Sequence, residues 1–293
     1  MERMETIKDT LRKRTLTLPD GTRLPVLGQG TWKMGEISGK REAELEGLQT
    51  GLDLGMKVID TAEMYGDGQS EQLVGEAVKH RREEAFLVSK VYPHHATSAN
   101  IEEACDGSLK RLQTDYIDLY LLHWRGRDLA ETVEGLERLK QAGKILRWGV
   151  SNFDTSDMEE LVHQKDGNHC ATNQVLYHLG SRGIEFDLLP WQQTQQMPIM
   201  AYSPLGQGET LVKKLAKHTA IQKIAEKHHV KPLQIALAWT IREGNVLAIP
   251  KATSKEHVIE NAEASTIELS LDDMKQIDSI FPKPARKMPL DII

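Results

Sequence analysis

The chain has 293 residues and a formal net charge of −6, from 37 Lys and Arg against 43 Asp and Glu, so it carries no basic field of the kind that draws nucleic acid. With 39% hydrophobic and 27% charged residues it has the composition of a globular protein, and no apolar run approaches the ~18 residues that cross a bilayer. The length suits either two average domains or one α/β barrel of about 250 residues.

The first fourteen residues, MERMETIKDTLRKR, are charged and lack the apolar segment of a secretory signal, so residues 1–14 are expected to be a poorly ordered extension and 15–293 a single domain. A hairpin follows: Thr15–Leu18 and Thr22–Leu24 flank Pro19-Asp20-Gly21, in which Pro fixes φ and Gly accepts positive φ. Eight short apolar runs come next, at Val26–Gly30, Lys57–Asp60, Phe86–Lys90, Ile117–His123, Arg147–Ser151, Thr172–Val175, Ile199–Tyr202 and Val246–Pro250. They do not alternate with polar residues, as expected of strands buried on both faces. Between them apolar residues recur at helical spacing: Leu45, Leu48 and Leu52; Leu73, Val74, Ala77 and Val78; Val133, Leu136 and Leu139. Pro232 suits a first helical turn ahead of Leu233, Ala236 and Leu237, and Ser270 with Asp273 reads as an N-cap, weaker than a box closed by Glu. Eight strands each followed by a helix predict a (β/α)8 barrel, an α/β TIM barrel whose bottom the hairpin closes. A doubly wound open sheet is the competing fold, but Gly28-Gln29-Gly30 runs on into Thr-Trp-Lys rather than a third glycine.

Cys105 and Cys170 have no CxxC spacing and read as free thiols of a reducing cytoplasm. The paired histidines His94-His95 and His228-His229 lack the i, i+4 spacing that puts two metal ligands on one helix face, so they read as solvated surface residues and no metal is expected.

Four polar residues carry the chemistry. Asp60, Lys90 and His123 each close an apolar run, where a barrel presents side chains at its active-site mouth, and Tyr65 follows Asp60 in VIDTAEMYGDG. Carboxylate, ammonium, phenol and imidazole form a proton-transfer group with neither nucleophile nor metal cage. Adding hydride to a carbonyl needs an acid for the developing alkoxide. Tyr65 supplies it, Lys90 favours the phenolate, Asp60 holds Lys90 charged, and His123 donates a hydrogen bond to the carbonyl oxygen. Trp32, Trp124 and Tyr92 are expected to line an apolar substrate mouth. The short loop WRGRDLAE and the tail FPKPARKMPLDII leave it little lid, which suits small reactive carbonyls.

GTW at Gly30, VIDTAEMYGDG, LVSK, YLLHW, WGVSNF, TNQVLYH, AYSPLG and IPKAT follow one another in an order that resembles the aldo-keto reductases, over about residues 15 to 281. The resemblance is closest to bacterial members with short loops. It implies the same four catalytic residues, reduction of aldehydes and ketones such as methylglyoxal, and NADPH lying extended over the mouth. By the same resemblance Ser151, Asn152 and Gln174 match the side chains that bind the carboxamide, and Tyr202 matches the ring stacked on the nicotinamide. Gly30, Thr31, Trp32, Asp60 and the loop Ser203, Pro204, Leu205, Gly206 join them. The adenosine end would be read by Lys251, Ala252, Thr253, Ser254, His257, Glu260 and Asn261. Here the chain departs from the family: Ala252 stands where serine is common, and His257 where arginine usually grips the 2′-phosphate. Two other readings compete: a reductase-like cofactor-sensing subunit with little turnover, and a metal-dependent barrel hydrolase, for which only Asp60 and His123 are suitably placed. The expected partner is a small carbonyl compound, with no membrane and no nucleic acid, and the expected state is a monomer.

Overall fold

The computed structural model describes residues 2–206 and 209–293. Helix α1 (Glu2–Lys13) precedes the hairpin of β1 (Thr15–Thr17) and β2 (Arg23–Pro25), paired antiparallel with Leu16 opposite Leu24. The barrel strands are β3 (Gln29–Gly30), β4 (Val58–Asp60), β5 (Phe86–Val91), β6 (Leu119–Leu122), β7 (Trp148–Ser151), β8 (Asn173–Leu176), β9 (Ile199–Tyr202) and β10 (Val246–Ala248). They form one parallel sheet of eight in chain order. The ring closes where Gly28 donates to the Ala248 carbonyl at 2.9 Å, Ala248 to Val26 at 2.9 Å, and Gly30 to Pro250 at 3.1 Å. Only glycine fits at that seam, since a Cβ on residue 30 would stand 2.6 Å from the Ile249 carbonyl oxygen.

The outer helices are α2 (Arg41–Leu54), α3 (Gln69–Val78), α4 (Ile101–Leu112), α5 (Leu129–Gln141), α6 (Thr155–Val162), α7 (Leu188–Thr194), α8 (Glu209–Lys217), α9 (Thr219–His228), α10 (Pro232–Thr240), α11 (Lys255–Glu263) and α12 (Leu271–Ile280). Pro232 takes the first position of α10, and the Lys231 backbone N–H donates to Gln234 Oε1 at 2.9 Å. The N-cap of α12 is stronger than its sequence suggests. Ser270 and Asp273 form a reciprocal capping box, and buried Asp273 also takes Lys227 and His228, at 2.9 Å each.

Two cores result. One fills the space between sheet and helices. The other runs inside the barrel, where Val58, Phe86, Leu119, Ala171 and Leu247 meet Leu16, Leu18 and Leu24 of the hairpin. The hairpin therefore plugs the end of the barrel at which strands begin, and ligands are left the opposite mouth.

The extension at the N-terminus is the clearest correction. Residues 2–13 form a helix rather than a disordered arm, because Ile7 and Leu11 on one face are buried against the core and Arg3 forms a bidentate pair with Glu263 at 2.7 Å. Of the paired histidines one is corrected too. His228 is mostly buried and bonds Asp273, whereas His95 stays at the surface, 41% exposed, with its Nδ1 3.0 Å from Glu63. Both cysteines are buried, each thiol pushed up to about 12 by burial. Among the described residues no group of three His, Cys, Asp or Glu could hold a metal ion, and no helix is long and apolar enough to cross a membrane.

Candidate active site

Strands β4, β5 and β6 end side by side, and the register that pairs Asp60 with Val88 and Lys90 with Leu121 brings three polar groups to one level. Lys90 Nζ lies 2.8 Å from Asp60 Oδ2, donates to the Thr61 carbonyl at 2.8 Å and reaches Tyr65 Oη at 3.2 Å. The Lys90 and Asp60 side chains are 0% and 3% exposed, so neither charge is tolerable without the other. Gln174 Nε2 holds the second carboxylate oxygen at 2.7 Å. Tyr65 comes from the loop after β4, and its ring meets His123, just past β6, edge-on at 5.9 Å.

Electrostatics assign protonation states. Burial alone would depress the Lys90 ammonium, but the charge of Asp60 and the Tyr65 oxygen outweigh it and its pKa is raised. Burial raises the Tyr65 phenol above its ordinary value; the Lys90 ammonium opposes this and Asp60 reinforces it. Tyr65 thus rests as a phenol, with a cation beside the oxygen to receive negative charge when the proton leaves. This differs from a simple lowering of the phenol by Lys90, because desolvation is the larger effect. His123 is lowered to about 3, first by burial and then by Lys90. Its ring is a neutral hydrogen-bond donor and not a proton reservoir near pH 7.

These residues floor a cavity of about 690 Å³ at the barrel mouth, ample for an extended nucleotide beside a small substrate. Gly30, Thr31, Trp32, Ser151, Asn152, Gln174, Tyr202 and the loop Ser203 to Gly206 line it on one side, Lys251, His257, Glu260 and Asn261 at the far end. Three non-glycine residues past strand ends take left-handed conformations there: Lys33 at φ 59°, Asn152 at φ 60° and Ser203 at φ 46°. Such strain persists where surrounding contacts enforce it. Asn152 is enforced by its side chain: Nδ2 donates to the His123 carbonyl at 3.2 Å and to Ser151 Oγ at 3.3 Å, and Oδ1 accepts from Tyr202 Oη at 2.9 Å. The Tyr202 ring is pinned at its tip, a fixed platform for a planar group.

At the far end Lys251 lines the cavity with its ammonium lowered by burial, and no carboxylate lies within ion-pair distance of it among the described residues. Ser254 caps α11 and accepts the His257 N–H at 3.3 Å. An unpaired cation beside a helix N-terminus fits a phosphate. Ala252, Thr253 and Ser254 do not line the cavity themselves. Tyr92 and Trp124 also lie outside its lining and instead flank His123, with ring centroids at 6.4 and 5.0 Å.

Several lining residues carry no signal in the sequence: Lys33, Met64 and the start of α10 at Lys231, Pro232 and Leu233. Lys231 stands between Glu260 and Glu256 of α11, in ion pairs with both. A lysine ahead of a helix-starting proline carries no signal that it faces a cavity. The tail reaches the mouth that its length suggests it leaves uncovered. Ile293 lines the cavity, Asp291 accepts Ser181 Oγ at 2.6 Å, and Lys287 reaches Asp187 at 2.8 Å.

Comparison with known proteins places this geometry. The model of the aldo/keto reductase family matches residues 26–281. Methylglyoxal reductase YeaE of Escherichia coli is 50% identical over 284 residues, covering 97% of this chain and 100% of that protein. Glyoxal reductase of Bacillus subtilis is 36% identical over 92% of this chain and 94% of its own. The crystal structure of an aldo/keto reductase from Klebsiella pneumoniae, in complex with NADP and acetate, superposes with a TM-score of 0.93 at 52% identity, covering 96% of this chain and 99% of that one. With the barrel, its plug and the strand-end residues in the arrangement described, the chain belongs to the aldo/keto reductase family.

Proposed function

We propose that the protein reduces small reactive aldehydes and dicarbonyls, methylglyoxal among them, to alcohols with NADPH. The observation that carries the reading is the buried contact of Lys90 Nζ with both Asp60, at 2.8 Å, and Tyr65 Oη, at 3.2 Å. A raised phenol beside an ammonium is suited to giving up its proton at one moment only, when a far more basic alkoxide develops next to it.

The residues present fit the cofactor. Gln174 spends its Nε2 on Asp60 and keeps Oε1 without a protein partner among the described residues, an acceptor for a carboxamide N–H. Tyr202 offers its face to a nicotinamide ring, and Lys251 takes the 2′-phosphate with the amides that open α11. When bound, the reduced nicotinamide supplies the hydride. Everything else is the work of this chain. His123 donates a hydrogen bond to the carbonyl oxygen, orienting and polarising it. Tyr65 Oη delivers the proton to that oxygen, and Lys90 stabilises the phenolate left behind. Asp60 keeps Lys90 charged at no cost in reorganisation, since the pair is already formed and buried. Trp32 supplies the apolar wall. The relatives that carry glyoxal and methylglyoxal reductase names support the choice of substrate class. We place the protein in the cytoplasm, in keeping with its two free thiols, and take it to act as a monomer.

The test follows the absorbance of NADPH against a panel of aldehydes, dicarbonyls and ketones. Turnover with methylglyoxal above that with bulky ketones is expected. NADPH bound tightly without oxidation by any carbonyl would replace the reductase with a cofactor-binding subunit.

A further inference from the structure

One buried carboxylate at the mouth has no part in this chemistry. Glu63 lies on the loop between β4 and α3, two residues before Tyr65, with its side chain 9% exposed. Its Oε1 accepts the backbone N–H of Tyr92 at 2.7 Å and lies 3.0 Å from His95 Nδ1. Its own N–H donates to the Lys90 carbonyl at 3.3 Å. One oxygen therefore joins the loop that carries Tyr65 to the loop that follows β5.

The second loop leads to the carbonyl. The Tyr92 ring stacks on His94 at 4.8 Å, meets Trp124 edge-on at 5.6 Å and sits 6.4 Å from His123. His123 and Trp124 are themselves 5.0 Å apart. The three rings support one another; the His123 backbone is held by Val91 and Asn152, and that of Tyr92 by Glu63. A lone buried carboxylate is costly unless its hydrogen bonds are made, so the two donors hold it and it holds them.

We propose that Glu63 is a positioning residue: through the Tyr92 amide and His95 it fixes the aromatic rim against which His123 is set, and so the aim of His123 at the substrate carbonyl. The inference rests on the reductase reading. Its signature separates it from a role in stability. The Asp60–Lys90–Tyr65 contacts do not pass through the Glu63 side chain, so proton delivery continues once a carbonyl is seated. Seating is what suffers.

Glu63→Ala and Glu63→Gln are compared with the unaltered enzyme for kcat, KM for the best small carbonyl, NADPH affinity by fluorescence quenching, and Tm. In Glu63→Ala, KM is expected to rise about tenfold, the worth of a charge-assisted hydrogen bond, with kcat and NADPH affinity within about twofold. Glutamine keeps one amide oxygen to accept from both the Tyr92 N–H and His95, so Glu63→Gln should return KM to within about threefold of the original. Should Glu63→Ala fail to fold, His95→Ala, which removes one of the two groups that Glu63 holds and leaves the rings around His123 in place, carries a smaller rise in KM, about threefold, at unchanged kcat. An unmoved KM, or kcat and KM falling together in proportion to lost Tm, overturns the role of Glu63 while leaving the reductase standing. An unaltered enzyme that oxidises no NADPH with any carbonyl overturns both.

Discussion

The two ends of the cavity solve different problems. At the barrel floor Lys90 and Asp60 are 0% and 3% exposed and every bond is internal. At the far end Lys231 and Glu256 are 58% and 75% exposed in their ion pair, and Lys251 has no carboxylate partner among the described residues. In the first, a charge cannot be removed without stranding another in a medium that does not screen it. In the second, water screens what is lost. The floor should thus fail abruptly under substitution, and the far end should drift.

Lys90→Met tests the abrupt end most severely. It leaves Asp60 buried with only Gln174 for a partner, a defect that typically costs about 3–5 kcal/mol, and turnover goes with it. Adding Asp60→Asn should restore much of the stability and none of the activity, read from denaturant midpoints. Losses that simply add in the double variant would show that the pair is not coupled, and the contrast between the two ends would collapse.

Tyr65→Phe removes one oxygen and leaves the ion pair whole. The expected effect is a fall in kcat of at least about 10²-fold, with NADPH affinity and Tm nearly unchanged. Turnover close to that of the unaltered enzyme would assign the proton to another group.

His123 sharpens the comparison through pH. Its folded pKa is lowered to about 3 by burial and then by Lys90, against an ordinary value near 6.5. Below 6.5 the unfolded chain binds a proton that the folded chain refuses, so this residue's share of stability is present above 6.5 and lost as pH falls toward 3. The slope within that window approaches about 1.4 kcal/mol per pH unit. His123→Gln should flatten unfolding free energy against pH between those limits. An equal slope in the variant would mean that the ring is not buried neutral.

The same contrast explains what the sequence discloses. Asp60, Lys90 and His123 each end an apolar strand, and parallel strands in chain order must bring their ends together, so fold and floor are legible from short strings. The far end is assembled by tertiary packing of α10 against α11, and nothing around Lys231 says that it meets Glu260. Helix α1 is illegible for a related reason. Its apolar face is only Met4, Ile7 and Leu11, too little to hold a helix alone, and it is formed by packing on α2 and the Arg3–Glu263 pair. The rim at Tyr92 was half legible: its aromatic residues could be read, but not the carboxylate behind them.

The smallest effects belong to the far end, and they decide how the cofactor is chosen. Lys251 is the fixed cation there, and His257 stands in the first turn of α11 with its backbone tied to Ser254. NADH has no 2′-phosphate to lose. Lys251→Ala should therefore weaken NADPH by about tenfold, the worth of one charge-assisted hydrogen bond, and NADH by less than about twofold. His257→Arg replaces an imidazole by a planar, permanently charged fork that matches phosphate in two places, and should tighten NADPH by a further few-fold, about 3 to 10. Neither change reaches the Lys90 contacts, so kcat at saturating cofactor should stay within about twofold. Fluorescence titration of both nucleotides at two salt concentrations checks this, because a phosphate contact exposed to water must weaken with salt. Equal NADH and NADPH affinities in the unaltered protein, indifferent to salt and to both substitutions, would mean that the end of the cavity holding Lys251 does not read phosphate at all.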